Sequence, residues 1–188
     1  MGKPAIMGYK KNAYDKVWSN LLEMKEYSFE RLTVDRQYFE IFIDRCGYTG
    51  INEDCNTEDE LINYYDNVKK EISLKKEKFN QKYSTTLYIS ERNKKKLQYI
   101  INIKKSIKNI ELNSIYLSPK VKEVSLFLEN LVNNQFNDNY YTWEISELAG
   151  ITEHEWYEHI ISEYEILLNT LELEMHKVHD LAIEELDL

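Results

Sequence analysis

Five glycines and two prolines in a chain of 188 residues leave few places for tight turns or forced breaks. Glycine supplies left-handed backbone and proline interrupts ladders. Their scarcity argues against many short strands joined by hairpins, and for long regular elements. Cysteine is equally sparse. Cys46 and Cys55 sit in CGYTGINEDC with no histidine nearby. Two thiols do not make a disulfide framework or a zinc site, and the expectation is a pair of reduced cysteines. No apolar run approaches the roughly 20 residues of a membrane span. The opening residues, MGKPAIMGYKKNAYDK, lack an apolar core of signal-peptide length. Together these absences lead to the expectation of a soluble, cytoplasmic chain with no membrane partner.

Catalytic signatures are missing too. There is no Gly-rich phosphate loop, nucleophile elbow or convincing Cys–His arrangement. HEWYEH at 154–159 resembles the zinc-protease H-E-x-x-H only superficially, because its second histidine comes five positions on instead of four and turns off the shared face. HKVHD at 176–180 is not specific. The reading is a non-enzyme with no cofactor and no metal.

The last scarcity is of positive charge at one end. Residues 126–188 hold 15 acidic side chains and one basic one, Lys177, for a net of −14. Residues 82–125 are the reverse, with 10 basic and 3 acidic groups, net +7. Residues 1–81 are nearly balanced at −2. Such asymmetry speaks of partners more than of fold. Within ERNKKKLQYIINIKKSIKN, Lys94, Lys95, Lys96, Lys104, Lys105 and Lys108 are candidate contacts to phosphate or to an acidic protein. A solvated helix face, paired with the acidic C-terminal part of the same chain, explains them equally well.

What is present in quantity is helical periodicity. Val17, Leu21, Met24 and Leu32, widened by Trp18 and Leu22, predict a helix over 13–31. A second helix is expected to start near Thr33–Asp35 and stop at Gly47. Thr57 and Glu60 form a capping box that opens a helix carrying Leu61, Ile62, Tyr65, Val68 and Ile72, ending about Phe79. YSTTLYIS at 83–90 alternates as a strand would. Ser90 reads as the cap of a helix with Leu97, Ile100, Ile101, Ile107 and Ile110. Ser118 and Pro119 read as cap and first residue of another, burying Val121, Val124, Phe127, Leu128 and Leu131. The expected fold is therefore mostly α: a helical bundle with a long C-terminal helix and at most a short β element near 83–90. By composition it divides into an N-terminal helical region at 1–81, a basic helical region at 82–135 and an acidic region at 136–188.

Residues 141–160 read YTWEISELAGITEHEWYEHI. Ile145, Ser146, Leu148, Ala149, Gly150, Ile151 and Thr152 fit the pattern hydrophobe, small residue, two further residues, then small–Gly–hydrophobe–Ser/Thr. This segment resembles the helix-turn-helix of lac-repressor-type regulators. The resemblance covers about 20 residues, with Thr152 and Glu155 as a capping box for the second helix. It implies that Glu153, His154, Tyr157 and Glu158 would face a DNA groove. A carboxylate can accept from cytosine N4 but adds no phosphate attraction. Two consecutive bundle helices joined by a tight turn fit the same residues.

Beyond Trp156 the pattern continues. Ile161, Leu168 and Met175 recur every seven residues, followed at three by Tyr164, Leu171 and Val178, with Ile160, Leu167 and Leu181 widening the stripe. This helix can close a bundle within the chain or pair with a second copy, and the sequence leans towards a homodimer. The functional expectation is a regulatory or inhibitory binding protein of phage or mobile-element type. Lys, Asn, Ile and Tyr, all with AT-rich codons, suit such a source. Its acidic C-terminal surface, with Glu153, Glu155, Glu158, Glu163 and Glu165 and the anchors Trp156 and Tyr157, would engage a cationic site on a nucleic-acid-processing protein. RNA polymerase, a nuclease or a CRISPR effector would provide one. A DNA-binding transcription regulator and an assembly subunit are the alternatives.

Overall fold

The computed structural model describes residues 2–46, 57–83, 86–135 and 153–188. Among them the chain forms five α-helices and one 3-10 turn, and no strand. The helices are α1 (Lys3–Cys46), α2 (Glu58–Tyr83), α3 (Thr86–Asn113), α4 (Pro119–Gln135) and α5 (Glu153–Leu186), with the 3-10 turn Ser114–Tyr116 between α3 and α4. The expectation of a mostly helical bundle with a long C-terminal helix holds. The chain separates into two compact units, one of residues 1–33 with 95–188 and one of residues 34–94. The unit limits fall inside α1 and α3.

Several starts are where the sequence puts them. The Thr57 backbone N–H donates to Glu60 Oε2 at 3.3 Å, and the Glu60 N–H donates to Thr57 Oγ1 at 3.2 Å. This reciprocal capping box satisfies two of the donors that a helix start leaves open. α4 opens at Pro119, whose fixed φ and missing N–H suit the first helical position. Val121 N–H reaches the Ser118 carbonyl at 2.9 Å, and Lys120 N–H approaches Ser118 Oγ at 3.4 Å.

Other expectations fail for identifiable reasons. No new helix begins at Thr33: α1 runs through it, and the Thr33 hydroxyl donates back to the Phe29 carbonyl at 3.0 Å. A threonine can satisfy itself this way in a helix interior as well as at a cap. The described residues of YSTTLYIS are helical and not a strand. Tyr83 closes α2 and Thr86–Ser90 open α3, so alternation there is overridden by the helices on either side. α2 accordingly runs four residues beyond Phe79. Leu97 and Ile101 on α3 and Phe127 on α4, all expected in the core, are exposed.

In the first unit, α1 and α5 lie antiparallel. Arg31 sits over the Tyr164 ring at 5.9 Å, Lys25 pairs with Glu172 at 3.6 Å, Trp18 faces His179 at 6.3 Å between ring centres, and Lys10 pairs with Glu185 at 3.5 Å. As the numbers fall along α1 they rise along α5. Between these contacts runs a dry seam of Val17, Leu21 and Met24 from α1 with Tyr164, Leu167, Leu171 and Val178 from α5, each with at most 1 % exposure. Ile100, Ile103, Ile107 and Ile110 of α3 and Val121, Val124, Leu128 and Val132 of α4 complete the core. The isoleucines are mediocre helix formers, so α3 owes its helicity to this packing. Asn109 Nδ2 donates to Asn20 Oδ1 at 3.2 Å, tying α3 to α1.

The second unit has its own small core. Val34, Tyr38 and Phe39 of α1 are buried, as is Phe79 of α2. The Tyr38 and Phe79 rings meet edge to face at 5.8 Å. The Arg92 guanidinium lies 4.1 Å from the centre of the Tyr38 ring, a stacking that lets a charged group be buried.

Leu171 has no exposed surface, whereas Leu173, two residues away, is 62 % exposed. Leu171→Ala should therefore destabilise the first unit by about 2–5 kcal/mol, from lost burial plus the cavity left behind. Leu173→Ala should stay within about 0.5 kcal/mol. Urea denaturation of the two variants measures the difference.

Candidate acidic interface on the C-terminal helix

The site rests on how α5 is oriented. Its buried residues are Ile160, Tyr164, Leu167, Leu171, Glu174, Met175 and Val178, a 3-4 spacing. The row that the sequence treats as a widening stripe, Ile160 and Leu167, is thus central. Ile161 and Leu168 are only half-buried flanks. The homodimer seam expected at Ile161, Tyr164, Leu168, Leu171, Met175 and Val178 thus combines four residues buried within the single chain with two half-buried ones. Tyr164, Leu171, Met175 and Val178 are covered by the chain's own helices, so the row closes a bundle within one chain.

With that face inward, Glu155, Glu158, Glu165, Glu172, Asp180 and Glu184 come out to solvent, and Glu163 is half-buried beside them. Tyr157 is half-buried; the side chains of Glu153 and Trp156 lie outside those described. Residues 136–152, which carry most of the helix-turn-helix resemblance, also lie outside the described residues. α5 begins at Glu153, one residue after Thr152. His176 and His179 are exposed, and His179 Nδ1 lies 3.6 Å from Asp180.

Lysines of α1 and of α5 itself pair with carboxylates of α5. Lys10 and Lys25 reach across from α1, and Lys177 donates to Glu174 Oε1 at 2.6 Å. On α3, Lys94, Lys95, Lys104, Lys105 and Lys108 are exposed and Lys96 is half-buried. Lys108 pairs with Glu111 of its own helix at 3.0 Å.

Two features escape sequence reading. Glu174 has an exposure of 5 %. It occupies the core series Ile160, Leu167, Glu174, Leu181, and only the seven-residue spacing hints at that. The other is Glu185, which joins three helices. Its Oε1 accepts from the Ser118 N–H at the start of α4 at 2.8 Å, while Oε2 pairs with Lys10. A carboxylate at a helix N-terminus is favoured by the open N–H groups and the helix dipole. Tyr14, 4 % exposed, lies against the same carboxylate, although neither its hydroxyl nor Glu185 Oε2 makes a well-formed hydrogen bond. Burial, and then the adjacent Glu185 charge, push the Tyr14 phenol well above its ordinary range.

Beside this junction a groove of about 530 Å³ lies between α4 and α5. Val124, Phe127 and Leu181 form its apolar wall, and Glu123, Glu174, Asp180 and Glu184 supply carboxylates, with Lys120 and Lys177 at the edges. No family model matches the chain, and neither a curated protein nor a solved structure matches it either.

The raised Tyr14 phenol has a pH consequence. Above about pH 10 an unfolded tyrosine loses its proton, while the folded one keeps it. The folded state then binds more protons, so stability falls as pH rises. Thermal midpoints between pH 10 and 12 should fall more steeply for the native chain than for Tyr14→Phe.

Proposed function

We propose that this is a non-enzymatic regulatory or inhibitory binding protein whose acidic C-terminal helix occupies a cationic, nucleic-acid-binding site on a partner protein. The observation that supports this most is the outer face of α5. It carries exposed carboxylates from Glu155 to Glu184, and its one basic residue, Lys177, is engaged by Glu174. From Glu155 to Glu184 that line runs about 45 Å at roughly 1.5 Å per residue. A surface of this kind repels nucleic acid and is steered towards basic clefts. The partner would be a protein that handles DNA or RNA, and the carboxylates would stand where phosphates normally bind. The exposed lysines of α3 give the protein a second, oppositely charged surface, to which this reading assigns no role in capture.

The test is displacement. Bacterial lysate is loaded on immobilised duplex DNA at low salt, and the purified protein is added. The native chain should release at least one DNA-bound protein. Glu158→Lys/Glu165→Lys/Glu172→Lys should release at least tenfold less of it. Equal release by both, or retention of the native chain itself on the duplex, would contradict the proposal. Retention would favour a DNA-binding regulator.

A further inference from the structure

We infer that the groove between α4 and α5 takes a cationic amphipathic helix of the partner, with apolar side chains on Val124, Phe127 and Leu181 and a basic side chain directed at Glu174. This deepens the proposed function and rests on it.

The observation that singles out the groove is a carboxylate where packing calls for an apolar side chain. Ile160 and Leu167 precede Glu174 at seven-residue intervals, and Leu181 follows it. A buried charge at such a position lowers stability unless it is well paired. Its partner here is Lys177, three residues on, whose side chain is 64 % exposed. That pair is open on the lysine's side. Lys177 donates to Oε1, and a carboxylate can accept about four hydrogen bonds. Glu174 lines the groove and so has capacity for a further donor there.

The surroundings define the chemistry of that donor. Glu123, Asp180 and Glu184 add three carboxylates, and Lys120 is the one cation not already held by Glu174. The groove is therefore net negative, and an anionic ligand is disfavoured. Phe127 is 47 % exposed although it lies on the same helix as the buried Val124 and Leu128. An aromatic ring open at a groove wall is a typical interface anchor. At about 530 Å³ the space accommodates a few side chains, as in helix-in-groove recognition. α4 and α5 run antiparallel along it, with Ser118 meeting Glu185 at one end. The combination of acidic rim, apolar wall and buried acceptor matches a segment with basic and apolar residues on one helical face.

The probe is a fluorescein-labelled 14-residue peptide with lysine and leucine in helical repeat, read by fluorescence anisotropy at physiological salt. Two controls share its length: one with glutamine for lysine, one with only lysine. The native protein should bind the amphipathic peptide saturably and at least tenfold tighter than either control. Asp180→Lys/Glu184→Lys should weaken it at least tenfold, whereas the charge-matched Glu23→Lys/Glu26→Lys on α1 should change it less than twofold. Glu174→Leu should fold with an unchanged or higher melting temperature and still lose at least fivefold in affinity. A purely structural role for Glu174 would leave affinity unmoved. Equal binding of the controls, equal loss in the two reversed pairs or no saturable binding would overturn the inference. Asp180→Lys/Glu184→Lys also separates the two proposals. If it still displaces DNA-bound proteins while losing the peptide, the inferred occupant is wrong and the broader function stands. If displacement fails for the native chain itself, the broader function falls.

Discussion

The antiparallel seam between α1 and α5 is the constraint on which the rest of the first unit depends. Val17, Leu21 and Met24 of α1 and Tyr164, Leu167, Leu171 and Val178 of α5 are almost wholly closed to solvent along it. Fully burying side chains of this size contributes about 1.5–3 kcal/mol each before the entropy of ordering is subtracted. Once that row faces inward, the rotation of α5 is set, and with it the direction of every charge on the helix. The acidic face is thus a consequence of core packing. A slip of one residue that brought Glu165 and Glu172 to the places of Tyr164 and Leu171 would bury both carboxylates against apolar side chains, at a large cost in buried charge.

The seam also decides where positive charge is needed. Carboxylates crowded on one helix repel each other, and α5 has no run of lysines to relieve this. Lys10 and Lys25 of α1 stand along the edge of the seam and pair with Glu185 and Glu172. The Lys25 pair is exposed and worth little by itself. Glu185 is different, because it also holds the start of α4 and faces the buried Tyr14. One carboxylate therefore links the α1–α5 seam to the α4–α5 groove. The outward carboxylates of α5 keep that face strongly negative, and this supports the proposed cationic partner.

The fold was largely legible. The Thr57–Glu60 capping box and the Ser118–Pro119 start are local signals with a single physical reading, and both appear in place. Thr33 was ambiguous, since a hydroxyl serves equally at a helix start or bonded to the carbonyl four residues back. Residues 83–90 misled because alternation over eight positions is weak beside two flanking helices. The heptad on α5 was visible, but whether its row faced a second copy or the same chain depends on a match with α1, about 140 residues away. No local pattern contains that. The candidate site was legible as charge: the scarcity of lysine after residue 125 marks the acidic face directly. The groove was not, because it needs Glu174 read as a core position and Phe127 as an exposed one, and the apolar pattern alone assigns both the other way.

The central claim is that the inner row of α5 is covered by its own chain, leaving the acidic row open. Thiol labelling tests it directly. With Cys46 and Cys55 replaced by serine, single cysteines are placed at Leu167, Leu171, Glu165 and Glu172, and labelling rates are followed from nanomolar to high micromolar protein. Labelling should be slow at 167 and 171 at every concentration and fast at 165 and 172. Protection at 167 and 171 that disappears on dilution would mean that a second copy covers the row, and would contradict it.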